Sequence, residues 1–177
     1  MVTILNISLV QAAVVQINPE QNLQQQLDLA QAGDHVLLDA GTYLGNFIIN
    51  KALKLSGQQG AIIDGQAQGH ALEIKAKNVV IQNLKIQNWG HNLTNLDAGI
   101  FVTTQAENTL IKNNQFVGNS SGVWVDATPN IKIINNTIEG NETIRSPDRG
   151  NGIHLYNVSG ALVKGNEVWH TRDGIYM

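Results

Sequence analysis

The sequence predicts an all-β chain, a right-handed, single-stranded parallel β-helix with coils of about 22 to 30 residues and a capping helix near its N-terminal end. Three observations carry this expectation. Between Asn108 and Met177 one pattern occurs three times: Ile111, Ile133 and Val163 each stand three residues before an Asn, namely Asn114, Asn136 and Asn166. Two residues after each Asn comes another apolar residue, Phe116, Ile138 or Val168. Further on, a Gly opens a short apolar strand in each copy: Gly122-Val-Trp-Val, Gly152-Ile-His-Leu and Gly174-Ile-Tyr-Met. An earlier, weaker copy has Ile81, Leu84, Ile86 and then Gly99-Ile-Phe-Val, with Leu84 in place of the Asn. Alternate copies carry insertions, Gln87–Ala98 and Glu139–Asn151, which should project from the same corner.

Coils in such a solenoid stack at the inter-strand distance of about 4.8 Å, so equivalent residues form ladders. Asn114, Asn136 and Asn166 are expected to stack inside a corner, each carboxamide bonding to neighbouring coils and to freed backbone groups. On the Gly-opened strand, alternation puts Ile100, Val123, Ile153 and Ile175 on one face and Phe101, Trp124, His154 and Tyr176 on the other. With the aliphatic set inside, four ring-bearing side chains stack on the outside. That stripe, with Trp89 and Arg149 of the insertions, is the expected partner-binding surface.

The 177 residues suit one domain with a real core. Gly is frequent at 17, charged residues make up 14% and aromatics 5%, a mix suited to tight corners and ladders. A net charge of −3 without any basic run argues against nucleic-acid binding. No cysteine is present, which excludes disulfides, thiolate catalysis and Cys-based metal sites.

Residues 1–13 read as the remnant of a secretory leader, short and apolar with small residues at a cleavage-like position but no basic start, or else as an N-terminal strand. They are too short and polar to span a bilayer. Residues 14–177 form the expected β-helix domain. Asn18-Pro19-Glu20-Gln21 marks a helix start, Leu23, Leu27, Leu29 and Ala30 an apolar side, and Gly33 a stop. Strands are expected at 35–38, 47–49, 53–55, 61–63, 71–74 and 79–81, with a clean register only from Asn78. Met177 falls on an inner-strand position with no cap after it. The expectation is a domain cut short at that end, or an edge covered by another chain.

The residues that offer chemistry are scattered. His91, His154 and His170 could converge on copper or zinc, but no spacing enforces it. Asp97, Asp126, Asp148 and Asp173 are the carboxylates available to a polysaccharide lyase or epimerase, yet they occupy different repeat positions. The outer rings would equally suit stacking on sugars. No phosphate loop is present.

The segments Asn135-Asn-Thr-Ile-Glu-Gly140, Arg149-Gly-Asn-Gly-Ile-His-Leu-Tyr156, Ser159-Gly-Ala-Leu-Val-Lys-Gly-Asn166 and Arg172-Asp-Gly-Ile-Tyr176 resemble the NosD family, as do Ala40-Gly-Thr-Tyr43 and Ile63-Asp-Gly65. The resemblance implies a periplasmic, non-enzymatic accessory protein in the maturation of nitrous oxide reductase. Its implied partners are the ATPase and membrane permease of an ABC-type complex, a copper chaperone and the reductase itself. Its implied cargo is copper for the copper–sulfur centre. No copper ligand follows from the motifs, although His154 lies within the matching block. A carbohydrate-binding or carbohydrate-active β-helix is the alternative.

Overall fold

The computed structural model describes residues 11–177, so the leader-like stretch lies outside the described residues up to position 10. Among the described residues the chain winds through three parallel sheets of seven, six and six strands, visiting them in the same order on every coil from His35 onward, while a helix separates the first two strands of the seven-stranded sheet. Each strand therefore pairs with its counterpart one coil away, and ladders of like residues build the core. Val36, Leu55, Ile81, Ile111, Ile133 and Val163 are in register along the first sheet. Tyr43, Ile63, Ile86, Phe116, Ile138 and Val168 run along the second. Phe47, Leu72, Ile100, Val123, Ile153 and Ile175 run along the third. Burial on one face of each short strand, summed over the coils, is what holds so helix-poor a chain together.

Two expectations need correcting. The helix spans Leu23–Leu29 with Asn22 as its N-cap, its side chain accepting from the Gln25 N–H. Asn18 instead builds the preceding turn: its side chain accepts from the Glu20 N–H while its own N–H donates to Gln21 Oε1. Nor does the register wait for Asn78, since Val14–Ile17 already pairs with His35–Leu38. The first coils keep the apolar alternation and lack only the Asn that makes later copies visible.

The helix buries Leu23 and Leu27 and closes one sheet edge. The Gln24 carboxamide accepts from the Ile48 N–H at 2.8 Å and donates to the Ile48 carbonyl at 3.1 Å, imitating a neighbouring strand. That satisfies backbone groups an edge would otherwise leave bare.

Corners are made by asparagine in the left-handed region, which its short polar side chain tolerates. Asn78, Asn108 and Asn130 have φ near 60°, and Asn83, Asn113 and Asn135 have φ from 54° to 57°. The second set immediately precedes Leu84, Asn114 and Asn136. In each Asn-Asn pair the first residue bends the chain outward and the second turns its amide in.

Inside that corner every carboxamide is spent. Asn136 Oδ1 accepts from both the backbone N–H and the Nδ2 of Asn114, each at 3.0 Å, and Asn136 Nδ2 donates to the Ile111 carbonyl. Asn166 repeats those contacts to Asn136 and Ile133. At the lower end Asn114 Oδ1 accepts from the Leu84 N–H, so Leu84 terminates the ladder without breaking it.

The ring face and its candidate docking surface

The ring-bearing strand turns outward because its alternate residues must point in: Ile100, Val123 and Ile153 are fully buried. Its glycines are required by the second sheet. A Cβ on Gly122 would stand 2.6 Å from Ile138 Cγ2, and one on Gly152 would stand 2.3 Å from Val168 Cγ1. Only a residue without a side chain lets that ladder and the third sheet meet.

On the outer side the rings stack in two groups rather than one continuous stripe. Trp124 lies on His154 with centroids 3.6 Å apart, and Tyr176 tilts over His154 at 4.8 Å. Phe101, in register with Trp124, stacks instead on His70 at 4.4 Å. His70 was missed from the sequence because it lies before the strand and outside the repeat.

His154 is 8% exposed, so the centre of the stripe is not a bare surface. Its Nδ1 lies 2.9 Å from the Asn151 carboxamide nitrogen. Burial first, then the nearby Arg172 charge, holds its pKa below the usual histidine value, so the ring is neutral near pH 7. Burial likewise lowers the pKa of His70. Tyr156 and Tyr176 are the open rings of this sheet, at 58% and 48% exposure.

Two residues expected on the partner surface are engaged within the chain, one in the interior and one inside an insertion. Trp89 is 2% exposed, edge-on to Phe116, and its indole N–H donates to Ser120 Oγ at 3.0 Å. The first insertion folds back over it, an event the repeat pattern does not encode. Ser120 Oγ also lies within hydrogen-bonding distance of the Gly90 and Asp97 carbonyls, tying down both ends of that insertion. Arg149 is spent inside the second insertion, donating to the carbonyls of Ile144 and Glu142.

The three histidines weighed as metal ligands do not come together. His91 is exposed on the first insertion, His170 sits 3.4 Å from Glu142, and His154 is held in the ring stack. Among the described residues no group of three or more His, Asp or Glu is placed to hold a metal ion. Among the described residues, His91, His154 and His170 do not form one shared copper site. The carboxylates are dispersed too. Asp97 Oδ2 accepts from the Asn92 N–H, Asp148 pairs with Arg145, Asp173 with Arg172, and Asp126 stands opposite Tyr156 at a strand end.

A model of the right-handed β-helix region matches residues 45–177. The chain belongs to the right-handed β-helix family. Within it, the sequence is NosD-like. It is 48% identical over 137 residues to a Pseudomonas aeruginosa protein named "Probable ABC transporter binding protein NosD" and 44% identical over 137 residues to the protein of that name from Stutzerimonas stutzeri. Those alignments cover 77% of this chain but only 32% and 31% of the relatives, so the chain spans about a third of their length. Among solved structures it superposes on an alginate lyase from a Paenibacillus species with a TM-score of 0.75 and 18% identity, covering 89% of this chain and 58% of that one. A pectin methylesterase from Erwinia chrysanthemi gives 0.56 and 15%, with 86% and 66% covered. At such identities the superpositions show a shared fold and nothing of a shared reaction. Among the described residues no helix is long and apolar enough to cross a membrane.

Proposed function

We infer that this chain is a periplasmic docking scaffold of an ABC-type assembly that delivers copper to nitrous oxide reductase and builds its copper–sulfur centre. The observation that carries the reading is the 48% identity, sustained over 137 residues, to a relative named for binding an ABC transporter. The family's carbohydrate enzymes are matched at 18% identity or less in the two superpositions above. The physical support is the ring face, where the open rings of Tyr156 and Tyr176 lie on the strands that carry a rigid stack fixed by the coil register. Exposed aromatic surface on a rigid support is what a protein partner uses at an interface. Copper is the cargo of the assembly in this reading and is held by the partner proteins, the copper chaperone and the reductase, not by His91, His154 or His170.

Co-expression with the ATPase, the permease and the chaperone, followed by affinity capture on this chain, tests the proposal. Retention of the permease and ATPase is expected, and Tyr176→Ala should weaken it by about tenfold, the scale of a modest interface contact. Failure to retain either protein, together with release of unsaturated sugar from alginate or pectin by the purified chain, would replace the scaffold with an enzyme.

A further inference from the structure

Charge is sorted by sheet. Among Asp, Glu, Lys and Arg, the strands of the first sheet carry lysine alone, at Lys54, Lys112, Lys132 and Lys164. The second sheet carries Asp64, Glu139 and Glu167 against Lys85, and the third carries Glu73 and Asp126 with no lysine or arginine. In a chain of net charge −3, one face is therefore basic and the other two are acidic. Each of the four lysines stands next to a residue of the inner ladder, Leu55, Ile111, Ile133 or Val163, so strand alternation turns all four outward.

This sheet pairs from His35 to Lys164 without a register shift, so the lysines share one face. Lys112, Lys132 and Lys164 occupy three consecutive strands, and from Lys54 to Lys164 the face extends over four strand spacings, about 20 Å. Among the described residues none of the four is in an ion pair. The acids in the flanking corners are engaged elsewhere: Glu107 accepts from Asn130 Nδ2 at 3.4 Å, Asp39 accepts from Gln16 and Gln58, and Asp34 accepts from the Ala13 and Gln31 N–H groups. Half-buried Val80, Leu110 and Ile134 are the register neighbours of the lysines. Lysine stems cover such apolar surface while the ammonium stays in water.

Spacing and chemistry decide what this face fits. Arginine, whose planar fork grips a fixed carboxylate or phosphate, is absent from its strands. Lysine is a point charge on a flexible stem, and here four such charges are spread out rather than aimed at one anion. Spread cations on a rigid face are matched by a surface whose negative charges can move beneath them. We propose that the outer face of the first sheet rests on the headgroups of an anionic lipid bilayer, which leaves the ring face of the third sheet uncovered for a protein partner. The proposal rests on the docking-scaffold reading for a bilayer within reach, and it adds how the scaffold is oriented there.

The test is co-sedimentation of the full chain, without any partner protein, with vesicles of phosphatidylcholine and with vesicles that also contain phosphatidylglycerol. Binding to the anionic vesicles alone is expected, and added salt should abolish it. Lys132→Gln should lower the partition by about fivefold, the scale for one lysine at an anionic surface. Lys85→Gln removes the same charge from the second sheet and should change the partition by less than about twofold, because the effect fades within a Debye length. Both side chains are on the surface, so the melting temperatures should stay put. No binding to anionic vesicles, equal binding to neutral ones, or equal losses in the two variants would overturn the proposal. So would release from the vesicles by polygalacturonate at matched charge, which would give the face to a soluble polyanion. A chain that ignores anionic vesicles yet retains the permease would overturn this orientation and leave the scaffold standing; vesicle binding without retention of the permease would do the reverse.

Discussion

Two ladders climb the same coils at different places. The asparagine ladder turns inward and leaves nothing unmatched: the Oδ1 atoms of Asn136 and Asn166 each accept two bonds from the coil below, that of Asn114 accepts one, and each Nδ2 donates to a backbone carbonyl. The ring ladder turns outward, is half covered by two insertions, and keeps an orphan donor and an orphan acceptor. Matched polar groups specify a corner at little net cost, whereas unmatched ones lower stability and persist where something else retains them. The contrast divides the molecule into a part that sets the coil and a part that is available for use.

Substitutions can break or sharpen that division. The largest effect is expected for Trp89→Ala, which empties a filled space beneath the first insertion and strands Ser120, at about 3–5 kcal/mol in a denaturant titration. Asn136→Leu should follow at about 3 kcal/mol, because it strips the Asn114 N–H and the Ile111 carbonyl of their side-chain partner, at about 1–3 kcal/mol each, and takes one of the two partners of Asn114 Nδ2, partly relieved by relaxation.

The pH dependence should come from outside the asparagine ladder. His35, His70 and His154 all have folded pKa values lowered from 6.5, chiefly by burial. The unfolded chain thus binds more protons in that range. Stability is flat above about 6.5 and declines as the pH falls through the depressed folded values. Melting temperatures measured from neutral to mildly acidic pH should show this fall, shallower in His154→Phe. The smallest effect is expected for Trp124→Phe, which deletes the orphan N–H but keeps a stacking ring, so its melting temperature should barely move.

Much of the architecture was legible because a coil repeats its own logic. Once Asn114, Asn136 and Asn166 were aligned, the register of Trp124, His154 and Tyr176 followed, and the structure pairs those residues as the alignment implies. The first coils were harder to read, since Val36 and Leu55 keep the alternation but no asparagine announces the corner. The αL asparagines did leave a signal, for Asn113 and Asn135 each stand directly before a ladder Asn. The insertions left none. That Trp89 is buried, that Arg149 is spent on carbonyls and that Asn151 meets His154 all depend on loops folding back across coils, which no periodicity describes.

The most direct measurement sets Asn136→Leu beside Asn151→Leu in one urea unfolding series. Both replace a buried carboxamide by an apolar residue of similar size, one in the asparagine ladder and one against the ring stack. The account predicts a loss of about 3 kcal/mol for Asn136→Leu and a change within about 1 kcal/mol for Asn151→Leu, because only the first leaves several backbone and side-chain groups stranded. Equal losses at the two positions would contradict it, and the ring ladder would then be as much a part of the framework as the asparagines.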